Sequence, residues 1–378
     1  MIPVKGERKG DREIGVEAAR ILGCMTVICC HVLPYSLNGT EGAFPTVLLR
    51  VLCADGVAVF WLITGMFLFA GRPFKYVLGR ACRRIVLPLV LLSVLAFLSG
   101  GFRMGGSVSY TIPSAGEALR FFSSVLSLKN PVRGLDHTWF LYTYLWIVFL
   151  YPVLNSFTEY LNGDRIWMKR MMVLIPLFLL LNDMTENKLA SFSNDSVNSM
   201  FAASVFLVAG HILNANRKDL PGGINVALCL LIPAIVAPLR AAMILRLTAT
   251  EHLYYWYTFS GFLSAFFILC ACLKLLDEKA HRIPASVCRW IRRFSSCTFG
   301  IYLIHVLPVY ALVRLDAFEW IRSLFPDAFP AVSTAVTVWI VSLFVFLLSF
   351  FVVSSVQSFC RFVRRIFRTG KKAARMGG

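Results

Sequence analysis

Acidic side chains are scarce in this chain. Only 20 Asp and Glu stand against 38 Lys and Arg in 378 residues, a formal net charge of +18. The eleven cysteines include no paired CxxC spacing, which removes the usual pattern of a zinc site, and no metal is expected. There is no internal repeat and no low-complexity segment, so nothing points to a solenoid. Long polar stretches are missing as well, and no part outside the apolar runs could fold as a soluble domain with its own core. The opening "MIPVKGERKGDRE" is basic, like the start of a signal peptide, yet no small-x-small cleavage site follows the first apolar run. That run is expected to remain as an uncleaved span.

What the chain has in abundance is apolar surface. Hydrophobic residues make up 58% of it, above the roughly 45–50% of globular domains, and the mean hydropathy is +0.70. Apolar runs of about 18 residues or more recur along the whole length, each long enough to cross a bilayer as a helix. The expected fold is all-α: one polytopic membrane domain over 1–378. Hydropathy places about ten spans, at 15–36, 46–70, 85–101, 138–157, 168–183, 198–214, 223–245, 254–276, 295–314 and 332–357. Most cysteines lie inside these runs or beside basic loops and read as small apolar residues.

The distribution of charge decides what the +18 means. An even number of spans puts both termini on one side. If that side is the cytoplasm, 27 Lys and Arg fall on inner segments and 8 on outer ones. This bias predicts N-in, C-in topology, with 1–13 a cytoplasmic segment and 358–378 a basic cytoplasmic tail. It explains the basicity through the lipid bilayer and needs no nucleic acid. Two loops read as surface helices. In "IPSAGEALRFFSSVLSL", Ser114 and Glu117 fit a capping box, and "VCRWIRRFSS" suits a basic interfacial helix. Asn38-Gly-Thr40 and Asn194-Asp-Ser196 match the glycosylation pattern on outer loops, too short a signal to carry weight.

The residues that could carry chemistry are ionisable groups inside apolar runs, which are expensive in lipid and so face a bundle interior or a wet cavity. In "RILGCMTVICCH", eleven steps separate Arg20 from His31, about 20° beyond three full turns and about 16 Å of rise. Glu17, three residues before Arg20, shares that face. His31 can act as a general base because neutral imidazole accepts a hydroxyl proton near neutral pH; the plainer alternative is a hydrogen bond between helices. Arg20 could equally snorkel to the interface and pair with Glu17. In "TFGIYLIHVLP", His305 lies at a depth close to that of His31. Asp55 could orient His31 or could pair with Arg50 or Arg240. Arg80, Arg83 and Arg84 sit three and four apart on one helix flank, suited to phosphates or to anionic lipid. Asp136 and His137 are expected at the outer surface. Trp139 and the aromatics after it form either a membrane belt or a platform for sugars.

Several of these stretches together resemble the integral-membrane acyltransferase family 3. "EAARILGCMTVICCH" resembles its Arg, ten residues, His opening. "GVAVFWLITGMFLF" resembles its second-span pattern, with Phe60-Trp61 and Thr64-Gly65 where Phe-Phe and Ser-Gly are usual. "RACRRIVLP", "HTWFLYTYLWIVFLYPVL" and "TFGIYLIH" resemble its third-span, fourth-span and late-span signatures. Glu17 replaces the usual Asp and keeps its charge. The appended esterase-like domain that the family often carries is not expected here. The resemblance implies transfer of an acyl group, commonly acetyl, from acyl-CoA as donor substrate to a hydroxyl of an extracytoplasmic or lipid-linked glycan, with no tightly bound cofactor. The setting would be the plasma membrane, the inner membrane of a bacterium. His31, Arg20 and Glu17 would then be catalytic. Arg80, Arg83 and Arg84 would bind the CoA donor. Asp55, His137, Trp139, Tyr302 and His305 would meet the acceptor. The rival class is a transporter or glycan flippase, which would place discontinuous helices in corresponding halves.

The topology is open to direct test. In a Cys-less background with single cysteines at 38 and 82, an impermeant thiol reagent applied to intact cells should label position 38 and spare position 82. The opposite pattern overturns the orientation.

Overall fold

The computed structural model describes residues 13–37, 39–98, 114–127, 135–192, 198–217, 225–247, 250–277, 282–325 and 330–376. Asn38, Asn194 and residues 1–12 lie outside the described residues. Every described element is helical. The helices are α1 (Ile14–Ser36), α2 (Phe44–Leu68), α3 (Phe74–Ala81), α4 (Leu87–Leu98), α5 (Ala115–Leu126), α6 (Trp139–Gly163) and α7 (Arg165–Met184). They continue as α8 (Asn198–Ala215), α9 (Val226–Arg246), α10 (Phe259–Cys272), α11 (Ala285–Ile304), α12 (Val306–Arg314), α13 (Ala317–Ser323) and α14 (Pro330–Met376). Among the described residues, six helices are long and apolar enough to cross a membrane, or seven if the bent pair α11–α12 is one span. All ten expected segments are helical, but α4 and α8 are shorter and α7 less apolar than a full span.

Local sequence sets the helix starts. Asp164 accepts from the backbone N–H groups of Ile166 and Trp167 at 2.9 and 3.1 Å, and Asn225 accepts from Leu228 at 2.8 Å. The capping box of α5 forms as its sequence predicts, with Ser114 N–H 2.8 Å from Glu117 Oε2 and Glu117 N–H 3.3 Å from Ser114 Oγ. The "VCRWIRRFSS" stretch is not a separate surface helix. It is the first half of α11, continuous with the span. The basic tail likewise prolongs α14 to Met376.

Between α3 and α4 the chain makes a π-turn, Cys82–Val86. Arg80 lies in the last turn of α3, Arg83 and Arg84 lie in the π-turn, and all three are exposed.

The core forms where α2 packs against α1, α8 and α10. No hydrophobic force drives helices together in lipid, so close backbone approach matters more than in water. At the α2–α8 crossing, a Cβ on Gly65 would collide with the backbone of Leu207. One on Gly210 would collide with the backbone of Leu62. The two glycines face each other's helices and set that crossing. The N-terminal end of α1 is fixed differently. Gly15 N–H donates to Asp277 Oδ1 at 2.8 Å, and Arg217 pairs with both Asp277, at 2.5 Å, and Glu13. α1 is thus held in register between α2, α11 and α14, with Glu17, Arg20 and His31 spaced along it.

Replacing Gly65 with Leu should separate α2 from α8 and cost more than the about 1–3 kcal/mol of ordinary overpacking. Gly79→Ala, where the added methyl meets open space, should leave stability nearly unchanged. Thermal unfolding of the two purified variants compares them, and equal melting points would refute the role of the crossing.

Candidate active site

Proline positions the site. Pro308 has no backbone N–H and its ring crowds the carbonyl four residues back, at Ile304. The helix breaks there: α11 and α12 are bent by 56° across His305. The carbonyls beside the break, Tyr302 and Leu303, each lie against a histidine ring. His305 Nδ1 is 2.8 Å from Tyr302 O, and His137 Nε2 is 3.3 Å from Leu303 O. On α1, His31 Nδ1 is 2.8 Å from Val27 O and 3.3 Å from His305 Nε2.

Three imidazoles therefore meet. Ring centres are 5.0 Å apart for His31–His305, 5.0 Å for His137–His305 and 6.0 Å for His31–His137, all edge to face. Their tautomers follow from their partners. A carbonyl oxygen can only accept, so each nitrogen facing one carries the proton. His305 holds its proton on Nδ1 and accepts from His31 on Nε2. His31 holds its proton on Nδ1, shared between Val27 O and His305. His137 holds its proton on Nε2. Two lone pairs remain: His31 Nε2 and His137 Nδ1. His305 and His137 are buried, at 0% and 3% exposure, whereas His31 is only half-buried. His31 is the least buried of the three.

The surroundings pin this geometry. The short helical turn Asp136–Thr138 brings His137 inward, closed by Thr138 Oγ1 donating to Leu135 O at 2.7 Å. The Tyr302 hydroxyl donates to the backbone carbonyl of His137. His137, expected at the outer surface, is buried among the helices at 3% exposure. The residue starts a span in sequence, and its turn folds it inward onto α11. The sequence signal was present in "LDHTWF", a histidine at the mouth of an apolar run, but nothing in it pointed at His31. Trp139 stacks on Trp256, ring centres 6.2 Å apart and nearly parallel, and Phe140 packs on Trp61 and Tyr302. Trp256 of the loop before α10 is a part of this aromatic wall that the sequence did not single out.

Asp55 does not join the cluster. It pairs with Arg240 at 2.7 Å, both side chains about 2% exposed. Arg240 also donates to Leu253 O at 2.5 Å and Tyr255 O at 2.6 Å. Of the two roles open to Asp55, the ion pair is the one present. Glu17 is buried and holds Arg20 at 3.0 Å, and Arg20 also lies over Phe67. Both occupy the far end of α1, about three turns from His31. Arg80, Arg83 and Arg84 are exposed near α3 and the π-turn, and Arg83 Nε donates to Gly79 O at 3.1 Å.

Among the described residues the chain is all-helical, with helices apolar enough to cross a membrane and an imidazole cluster beside a broken helix, and this defines the class. A family model described as an acyltransferase domain matches residues 13–356, nearly the whole chain, and the protein belongs to that family, acyltransferase family 3. No curated protein and no solved structure matches the chain.

Proposed function

We propose that the protein is a membrane O-acyltransferase that moves an acyl group, acetyl in the simplest case, from cytoplasmic acyl-CoA to a hydroxyl of an extracytoplasmic or lipid-linked glycan. The observation that carries this reading is the state of His31. Its Nδ1 proton is committed to Val27 O and His305, its Nε2 is a lone pair, and it alone of the cluster is half-exposed. In the proposed step the acceptor hydroxyl gives its proton to His31 Nε2 as its oxygen bonds to the thioester carbon. The C–S bond breaks, and the CoA thiolate takes that proton from His31. His305 positions His31 and accepts from its Nδ1–H throughout, which favours the transient imidazolium.

The other residues take their places along the route. Arg80, Arg83 and Arg84 are exposed cations suited to the donor's phosphates, since guanidinium forks bind phosphate bidentately. Arg20, held by Glu17, lies about three turns from His31 along α1. Trp139 and Tyr302 shape the acceptor side, Tyr302 by holding the turn that carries His137. Asp55 is no longer assigned to the acceptor, because Arg240 occupies it. The setting we assign is a bacterial inner membrane. The flippase alternative wants broken helices in corresponding halves; among the described residues only α11–α12 is broken. Release of free CoA from labelled acetyl-CoA by the purified protein separates the two classes.

His31→Ala should lower transfer by about 10²–10⁴-fold, the usual loss with a general base, and leave the fold and donor binding intact. His31→Gln keeps a hydrogen-bonding group and cannot serve as a base, so it should be as inactive. Near-parental turnover in the Gln variant would make His31 structural and pass the role to His305.

Arg80→Ala and Arg83→Ala should each weaken acyl-CoA binding roughly ten- to a hundredfold, the equivalent of about 1.5–3 kcal/mol for a charge-assisted contact. Calorimetric titration with acyl-CoA reads this directly. Unchanged affinity in both would reduce the arginines to lipid anchors.

A further inference from the structure

His137 Nδ1 is a buried nitrogen with no hydrogen-bond partner. The ring is locked, because its Nε2–H is held by Leu303 O and its backbone carbonyl by the Tyr302 hydroxyl. Neither the ring nor the turn can rotate to satisfy Nδ1 without giving up one of these bonds. An unsatisfied acceptor in an apolar interior is costly, yet this one is fixed in place beside the only other free lone pair of the cluster, on His31. Its position says from which side a donor would come. Leu135, next to this turn, packs with Ala96 near the end of α4 and with Phe121 of α5. The π-turn shares a cluster with the early part of α6, Ile85 with Phe140 and Tyr142, and Arg72, just before α3, accepts from Tyr151 further along α6 at 2.7 Å. His137 thus stands at the start of α6, beside the end of α4 that is opposite the π-turn, and that is the side from which the acceptor would come.

We infer that His137 Nδ1 accepts a hydrogen bond from a second hydroxyl of the acceptor, so that the site recognises a polyol by two neighbouring hydroxyls. This rests on the acyltransferase reading above. One hydroxyl gives its proton to His31 Nε2 and is acylated. Its neighbour donates to His137 Nδ1 and fixes which hydroxyl is presented. The two ring centres are 6.0 Å apart, and each hydroxyl oxygen would sit about 2.8 Å from its nitrogen. His137 makes no covalent bond and takes no proton in this scheme. It is a binding and positioning residue.

The two ring nitrogens can be tested separately. An asparagine side chain places its amide near the position of Nδ1, and a glutamine places it near Nε2. His137→Gln therefore keeps the bond to Leu303 O and loses the Nδ1 acceptor. His137→Asn does the reverse. Membranes from cells lacking the endogenous protein but supplying its natural acceptor, complemented with the full-length parent or either variant, are given radiolabelled acetyl-CoA. Alkali-labile label in envelope material is counted, and acetyl-CoA hydrolysis by the purified proteins is measured in parallel with water as the acceptor. The Asn variant should transfer at least tenfold more label than the Gln variant, while the two hydrolyse acetyl-CoA at similar rates. Gln equal to or better than Asn in transfer overturns the inference and makes His137 an anchor for Leu303. A parallel loss of hydrolysis in the Gln variant also overturns it, because the defect then lies in His31 and not in the acceptor. If the Asn variant does not assemble, the Gln variant decides alone, and near-parental transfer refutes the role. Parental membranes that transfer no label overturn the acyltransferase reading, and this inference with it.

Discussion

An imidazole N–H inside a membrane protein must find an acceptor within the protein, because lipid offers none. Here the acceptors are backbone carbonyls, and two of the three flank the break between α11 and α12. The break exists because Pro308 cannot continue the helical ladder. The bend, the exposed carbonyls, the ring orientations and the tautomers follow in order. Each N–H bound to a carbonyl forces the lone pair to the other nitrogen or into the chain from His31 to His305. The placement of the cluster's lone pairs is thus a consequence of where a helix is interrupted.

The same rule governs the buried charges. Arg240 in α9 spends its donors on Asp55 of α2 and on the carbonyls of Leu253 and Tyr255. One guanidinium thereby ties two helices to the loop that carries Trp256, and Trp256 stacks on Trp139 two residues from His137. Losing one partner of such a pair leaves an uncompensated charge in a medium that solvates it poorly. At the opposite end Arg217 bridges Glu13 and Asp277, and Asp277 takes the first free N–H of α1. The helix bearing His31 is therefore clamped at its N-terminal end, and it packs against α11 and α14.

Much of this was legible in the sequence, for reasons that are local. Apolar runs of span length became helices at all ten expected places, because a backbone in lipid has no other way to satisfy itself. Ser114 and Glu117 formed their capping box because that motif involves only four consecutive residues. Arg20, Glu17 and His31 share a face because 3.6 residues per turn is a property of any α-helix. The similar depth of His31 and His305 followed from the same rise per residue. What failed were readings that needed one helix to know another. The π-turn at Cys82–Val86, which carries two of the arginines, has no sign in hydropathy. The count of full-length spans depends on packing, since α4, α7 and α8 are apolar enough to be helical in company yet fall short of spans alone.

The sequence by itself determined the helices, their membrane character and the face of α1 that carries ionisable groups, since each depends on spacing along one chain segment. Its ordered motifs also pointed to the acyltransferase family that the match over residues 13–356 shows. Only the tertiary structure decided which ionisable groups meet. It gave Asp55 to Arg240, it brought His137 under the surface to the other two histidines, and it chose the nitrogens that keep their lone pairs. Those outcomes rest on contacts between residues more than a hundred positions apart, such as His31 with His305, and no local pattern encodes a distance of that kind.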